Sequence, residues 1–439
     1  VANPLVHTDS SIDGVLKNVY EDFRINAFPK LTVLLAQLKK AKAGGPERMQ
    51  WGGNGCFWDV VLGRPVGMTA SQAGFFPPTS AVMEKQAFVG IKRTYVTREI
   101  DALAIQATAA REAAYVPLVR KIVQEAMDAA QLGQQEVLQG TGRGIKGLIG
   151  SVTDTTHIVV TDPYGLTGAG RGGLLLDKGM FVAVHDTSAA DAILGTATIA
   201  VASNSGDNVT LTLGTAISGM AAGDKVVAAA TATDTSLDAY PNGLANMTNR
   251  AAAFNSLHNL SPATAGVERW DSLRLVAGTD TDDASIPSEF DVWKLITRVA
   301  NLSGKNAKTN PGEFLVLTTP GLERRFAEQF FGQRQWEMKD NVELKGGFSA
   351  VRLCGLPLVT DPWCPAGTLY LIHIPSLCWV DRQDWVKLSY EGSGPWRFID
   401  GRDAYQVNFG AYWNTAVLQR NSHGSITGYT DTDRYDFVV

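Results

Sequence analysis

Four cysteines in 439 residues, and no two of them close together, give the chain little to build with sulfur. Cys56, Cys354, Cys364 and Cys378 show no C-x-x-C spacing, so they read as reduced, buried thiols and not as a disulfide framework or a thiolate metal centre. Histidine is equally sparse. His7, His157, His185, His258, His373 and His423 stand singly, with no H-x-x-x-H or H-E-x-x-H pair that would put two imidazoles on one metal. No G-x-S-x-G, no G-K-[ST] and no framed pair of carboxylates occurs. The acidic runs TDTDDAS (279–285) and TDTDRYD (430–436) lack the Gly-and-Glu frame of a calcium loop and read as solvated loops. His185-Asp186 ends a strand pattern and reads as structural, and Cys364 lies in a proline-rich turn. A basic surplus is missing too: 39 Lys+Arg against 44 Asp+Glu gives a net charge of −5, which argues against a protein that grips nucleic acid through its phosphates. No apolar run approaches the ~20 residues needed to span a bilayer. The sequence therefore carries no catalytic, cofactor-binding or metal-binding constellation.

A 45% hydrophobic share is that of a folded protein, and 19% charged residues is low enough to imply that polar surface has given way to contact surface. Near the start, Ile12, Val15, Leu16, Val19, Tyr20 and Phe23 fall at helical spacing. Pro29 breaks the pattern, Leu31, Leu34, Leu35 and Leu38 resume it, and KKAKAGGP (39–46) reads as a helix end. These helices are either core elements or an arm whose apolar stripe awaits a neighbour. A long hairpin follows over 48–100. Its tip, VGMTASQAGFFPPTS (66–80), has no charge and carries Met68, Phe75, Phe76, Pro77 and Pro78 where a hairpin tip is ordinarily polar. About 25 residues each way reach on the order of 70–80 Å, further than one domain can cover.

Val116, Val119, Ile122, Val123, Ala126, Met127 and Ala130 then predict one long amphipathic helix, with Pro117 in its first turn and its end at GTGRG (140–144). Those glycines follow a helix instead of opening one, so they are a cap and turn and not a phosphate cradle. Short alternating runs between 174 and 230, separated by Gly/Asp/Asn turns, predict a small β-barrel or sandwich inserted in the surrounding fold. EFDVWKLITRVANLSG (289–304) is a helix in which Phe290, Trp293, Ile296 and Leu302 share a face. EFLVLTTP (313–320) is a buried strand, GLERRFAEQFFG (321–332) a helix, 351–374 strand, turn and strand, and 405–420 extended. The class is α+β.

Arm, oversized hairpin, long helix and absent chemistry fit a chain that completes its core with copies of itself. The order of parts over roughly 10–425 resembles the major capsid protein of tailed double-stranded DNA bacteriophages, the Hong-Kong-97-type fold. The likeness is sharpest in KRTYVTREIDALAIQATAAREAAYVPLV (92–119), EVLQGTGRGIKGLI (136–149), YPNGLANM (240–247) and GLPLVTDPWCPAGTLYLIHIPSL (355–377). It implies an N-terminal arm over 1–47, packing through Val15, Leu16, Val19 and Phe23, and an extended loop over 48–100. A peripheral domain with its spine helix and the start of the axial domain fills 101–173, a β-rich insertion 174–230, an axial domain 231–375, and a return to the peripheral domain 376–439. The spine helix would pack through Val119, Ile122, Val123, Ala126 and Met127, and the hairpin tip would lie across an adjacent subunit.

The resemblance further implies pentamers and hexamers of an icosahedral head in the virion, assembled in the host bacterial cytoplasm. Scaffolding, portal and decoration proteins would be partners, and double-stranded DNA would be enclosed without sequence-specific contacts. No cofactor, membrane or enzymatic activity is implied. Some relatives join subunits through a loop lysine, but residues 64–84 contain none; Lys85 and Lys92 lie on the return strand. Two other readings of the sequence are an encapsulin-type bacterial compartment and an α+β hydrolase with an auxiliary β-domain, for which the ten tryptophans would allow sugar stacking.

Overall fold

A computed structural model describes residues 6–7, 34–35, 38–41, 49–63, 83–102, 112–166, 168, 172–188, 191–205, 208–229, 237–248, 256–284, 287–331, 342–344, 348–388 and 396–431. Within them the chain builds two large sheets, a closed barrel and a small three-stranded sheet.

The six-stranded sheet runs in the order Val6–His7, Lys92–Asp101, Ala404–Val417, Leu377–Lys387, Lys39–Ala41, with Trp396–Phe398 also on Ala404–Val417. Its spine is the antiparallel pairing of Lys92 with Trp413 through Asp101 with Ala404. The helix Glu112–Gln139, 28 residues and so about 42 Å long, lies on one face of it. This helix starts a turn earlier than its apolar spacing alone suggests. Pro117 therefore stands in the second turn, where its missing N–H forfeits one backbone hydrogen bond. The segment 39–41 is another correction. It is not a helix end but a strand parallel to Cys378–Val380, because an open sheet edge there takes up its backbone groups.

The seven-stranded sheet runs Leu273–Val276, Gly424–Thr427, Leu369–His373, Phe314–Thr318, Leu356–Thr360, Phe348–Leu353, Val342–Leu344. Both faces are covered. Helices Glu289–Ser303 and Pro320–Phe331 pack on one through Val292, Leu295, Val299, Leu322 and Phe326. Leu34, Leu138, Met247, Trp379 and Trp413 cover the other. This double cover is why Phe314–Thr318 is buried along its whole length and apolar without alternation. Helix Glu289–Ser303 opens on a reciprocal cap between Ser288 and Asp291 and closes on Gly304 at φ 71°. Its apolar residues divide differently from the sequence expectation. Ile296 is core, with Val292, Leu295 and Val299, whereas Phe290 (69% exposed), Trp293 and Leu302 point outward.

The closed barrel has the strand order Ile193–Ser205, Asn208–Leu213, His157–Val160, Ile145–Val152, Lys225–Ala228, Phe181–His185. A barrel confined to 174–230 is thus corrected: two of its strands come from before residue 174. Ile149, Ile158 and Val160 face the same interior as Val182, Val184, Leu211 and Val226. The glycine turn after the long helix leads straight into that barrel. Gly144 has φ 75°, and a Cβ there would stand 2.3 Å from the Tyr240 ring, so only glycine fits.

Candidate functional site

The hairpin is the feature the sequence singled out. Gly55–Val61 pairs antiparallel with Glu84–Gly90, from Gly55 opposite Gly90 to Val61 opposite Glu84. Alternation decides its two faces. Cys56, Trp58, Ala87 and Val89 enter a cluster with Leu260, Val267, Trp270, Val380 and Ala416 of the same chain. On the other face Phe57 and Phe88 contact each other at 4.7 Å between ring centroids. The base of the ribbon is therefore seated on its own subunit. The tip residues Met68, Phe75, Phe76, Pro77 and Pro78 lie outside the described residues.

The seat is made by 256–272, which carries no regular pattern and which the sequence did not reveal. His258, at φ 56°, is its pivot. Its carbonyl accepts from Phe88 N at 3.1 Å, and its Nε2 accepts from Val417 N at 3.1 Å. Its ring meets Trp58 edge-on at 5.0 Å. Burial, aided by the Arg420 charge, pushes the imidazole down to about 3, so it stays neutral and can accept. The His258-Asn259 pair between Leu257 and Leu260 is the signal that could have marked this turn, because His and Asn tolerate the positive φ that both adopt here.

The long helix meets the six-stranded sheet through Ile122, which packs with Ile100 and half-buried Trp396, and through Ala126, which packs with Val407 and Phe409. Val123 and Met127 flank that contact, half-buried beside Val96 and Trp385. The side chain of Val119 lies outside the described residues, as do Val15, Leu16, Val19 and Phe23. Leu34, from the same N-terminal pattern, is core at 2% exposure.

Where the helix ends, charges clasp three elements. Arg143 donates to Asp191 at 2.8 Å and to Asp238 at 2.7 Å, and Lys225 also pairs with Asp191. Lys92, which opens the sheet strand that follows the ribbon, donates to the Asp238 carbonyl at 3.0 Å. The barrel, the glycine turn and the strand Lys92–Asp101 are thereby held to one another.

Two groupings resemble chemistry. His373 lies 2.6 Å from Ser376 Oγ through Nδ1 and 3.1 Å from Glu313 through Nε2. Ser376 is only 5% exposed, however, which leaves its hydroxyl unreachable for a substrate carbonyl. His185 uses Nδ1 on the Asp191 carbonyl at 2.8 Å and is a buried part of the barrel. All four cysteines are free; burial pushes Cys56, beside Cys378, up to about 11 and Cys354 up to about 12, which makes both poor nucleophiles. A cavity of about 20 Å³ at the glycine turn, next to Glu136, Lys146, Tyr164 and Tyr240, has room for a single water. Among the described residues no cluster of His, Cys, Asp and Glu could hold a metal ion, and no helix is long and apolar enough to cross a membrane.

No protein-family model matches the chain, and no curated protein does. Among solved structures, the cyanophage A-1(L) capsid asymmetric unit aligns over 97% of this chain and 99% of its own, at 13% identity and a TM-score of 0.53. The fold is that of a phage capsid subunit. Looser likenesses include the capsid of Myoviridae phage XM1, at 8% identity over 94% of this chain and 97% of that one with a TM-score of 0.47. The encapsulin complex of Synechococcus elongatus aligns at 10% identity over 97% and 99%, with a TM-score of 0.44.

Proposed function

We propose that this chain is the major subunit of a phage head, a structural protein that assembles with copies of itself into pentamers and hexamers of an icosahedral shell around double-stranded DNA. The observation that carries the reading is the end-to-end likeness to a cyanophage capsid subunit, which leaves almost none of either chain unaligned. Shell building also accounts for the uncharged hairpin tip and for aromatic side chains such as Phe290 and Trp293 that face outward from a well-packed helix. The 66–80 tip is buried by an adjacent subunit, and Pro77 and Pro78 reduce the ordering cost of that contact. Scaffolding, portal and decoration proteins are the expected partners, the virion the expected location, and the host cytoplasm the place of assembly.

Negative-stain microscopy of the purified chain tests this. Closed icosahedral shells are expected from the full-length protein. A chain lacking 67–81 should stay folded by circular dichroism and fail to close shells. A monodisperse monomer from the full-length chain, at concentrations where capsid proteins assemble, would refute the proposal.

A further inference from the structure

Asp361 is fully buried in the turn after Leu356–Thr360, and none of its bonds is to a cation. Its Oδ2 accepts from Gln139 Nε2 at 2.6 Å and from Gln135 Nε2 as well. Its Oδ1 accepts from Trp363 N at 2.9 Å, and its own N–H donates to the Thr318 carbonyl at 2.9 Å. Gln135 and Gln139 stand one turn apart on the long helix, so that helix is bonded to the seven-stranded sheet through one carboxylate. Gln135 has a second attachment: its Oε1 accepts from Leu35 N at 3.3 Å. A single side-chain amide thus joins the Leu34–Leu35 turn, the long helix and the sheet.

A buried carboxylate without a counter-charge is costly, and proteins seldom keep one without a use for it. The surroundings supply no relief among the described residues. Glu136, on the same helix, turns away to pair with Lys146. Cys364 and Tyr370 are buried in one cluster and supply no cation, and the Tyr164 hydroxyl donates to the Trp363 carbonyl at 2.8 Å. Among the described residues of the N-terminal segment, those that meet this helix are the apolar Leu34 and the Leu35 amide. Burial pushes the Asp361 acid up to about 6, against the three hydrogen bonds that favour its ionised form.

We propose that Asp361 and Gln135 form a proton-operated latch, in which the ionised carboxylate holds Gln135 so that the Leu34–Leu35 turn is pinned to the long helix and the sheet, and the neutral acid loosens that hold. A carboxylate oxygen takes two amide donors, whereas a carboxylic acid needs an acceptor for its own proton. Gln139 Oε1 is a buried amide oxygen with no partner, and rotating that amide provides the acceptor. Gln135 then loses its charge-assisted bond, and with it the restraint on the amide that Leu35 uses. The latch lies within one chain and is independent of whether that chain builds a shell.

The test is thermolysin cleavage within residues 8–33 of the full-length chain at pH 5.0 and 8.0, each rate normalised to an unstructured peptide that reports the protease's own pH profile. The wild-type chain should be cut several-fold faster at pH 5.0. Asp361→Asn should be cut at the same normalised rate at both, Gln135→Leu rapidly at both, and Gln139→Leu slowly at pH 8.0. A wild-type rate that does not change with pH overturns the proposal, as does an Asp361→Asn chain that keeps the wild-type response. If Asp361→Asn does not fold, Gln135→Leu decides against the acid sensitivity of the histidines: it should lose the wild-type pH response, and a Gln135→Leu chain that keeps that response overturns the proposal.

Discussion

Trp379 and Trp413 stack with 4.2 Å between ring centroids and 6° between their planes. They come from paired strands of the six-stranded sheet, yet they face the core that also holds Leu315, Leu317 and Tyr370 of the seven-stranded sheet. The stack is therefore the joint between the two sheets. Trp413 also donates its indole N–H to Thr94 Oγ1 at 3.0 Å. Trp413→Ala should lose roughly 3–5 kcal/mol of unfolding free energy, and Trp413→Phe clearly less, because the ring and not the hydrogen bond fills the joint. Urea unfolding followed by circular dichroism measures both, and equal losses would show that the indole N–H matters more than the stack.

Acid should weaken the fold. His258 and His423 both accept backbone N–H groups, from Val417 and His373, and burial holds each down to about 3. Unfolded histidine titrates near ~6.5, so below that pH the unfolded chain binds protons that the folded chain refuses. Their stabilisation is complete above pH ~6.5 and is lost as pH falls, at about 1.4 kcal/mol per unit for each histidine. Asp361 works in the opposite sense. Its folded value of about 6 lies above the unfolded one, so protonation favours the folded state as pH falls through 6. The sum between pH 6 and 4 is a net loss of about 1.4 kcal/mol per unit, which should roughly double in Asp361→Asn. Denaturant melts at pH 4.5, 5.5 and 7.0 give the slopes; a wild-type protein equally stable at all three would contradict this assignment.

Gly144→Ala should destabilise strongly. The position needs a left-handed backbone, and an added Cβ meets the Tyr240 ring at 2.3 Å. A loss of roughly 2 kcal/mol or more is expected from strain and displacement together. The double variant with Tyr240→Ala should recover part of it, because the ring is then gone while the backbone strain remains. A single variant as stable as wild type would mean that the turn after the long helix is not fixed as described.

Particles of this protein should be held by non-covalent contacts. Residues 64–84 contain no lysine, Lys85 lies at the exposed start of its strand, and Lys92 is engaged by the Asp238 carbonyl. Boiling assembled particles in SDS with reductant should give one main band near 47.1 kDa. A ladder of higher species that survives boiling would point to Lys85 as the amine.

Local periodicity made the α+β class, the long helix, the ribbon and some strands of each sheet legible in the sequence: 3.6 residues for 116–139, and two for 56–62 and, in the barrel, 208–213. The sequence also carried the order of parts that resembles a capsid subunit. Tertiary structure decided what periodicity cannot encode. Ile145–Val152 and His157–Val160 became barrel strands because their apolar faces close one interior with Phe181–His185, a contact between distant residues. Lys39–Ala41 became a strand because a sheet edge lay open beside it, although its composition suits a helix end. Phe290 and Trp293 turned outward because the core already took Val292, Leu295, Ile296 and Val299, and one helix can bury only one face. The meeting of Asp361, Gln135, Gln139 and Leu35 leaves no signal in the local sequence. They meet only when the long helix is laid against the sheet, since a hydrogen bond between residues 226 positions apart is a property of packing and not of spacing.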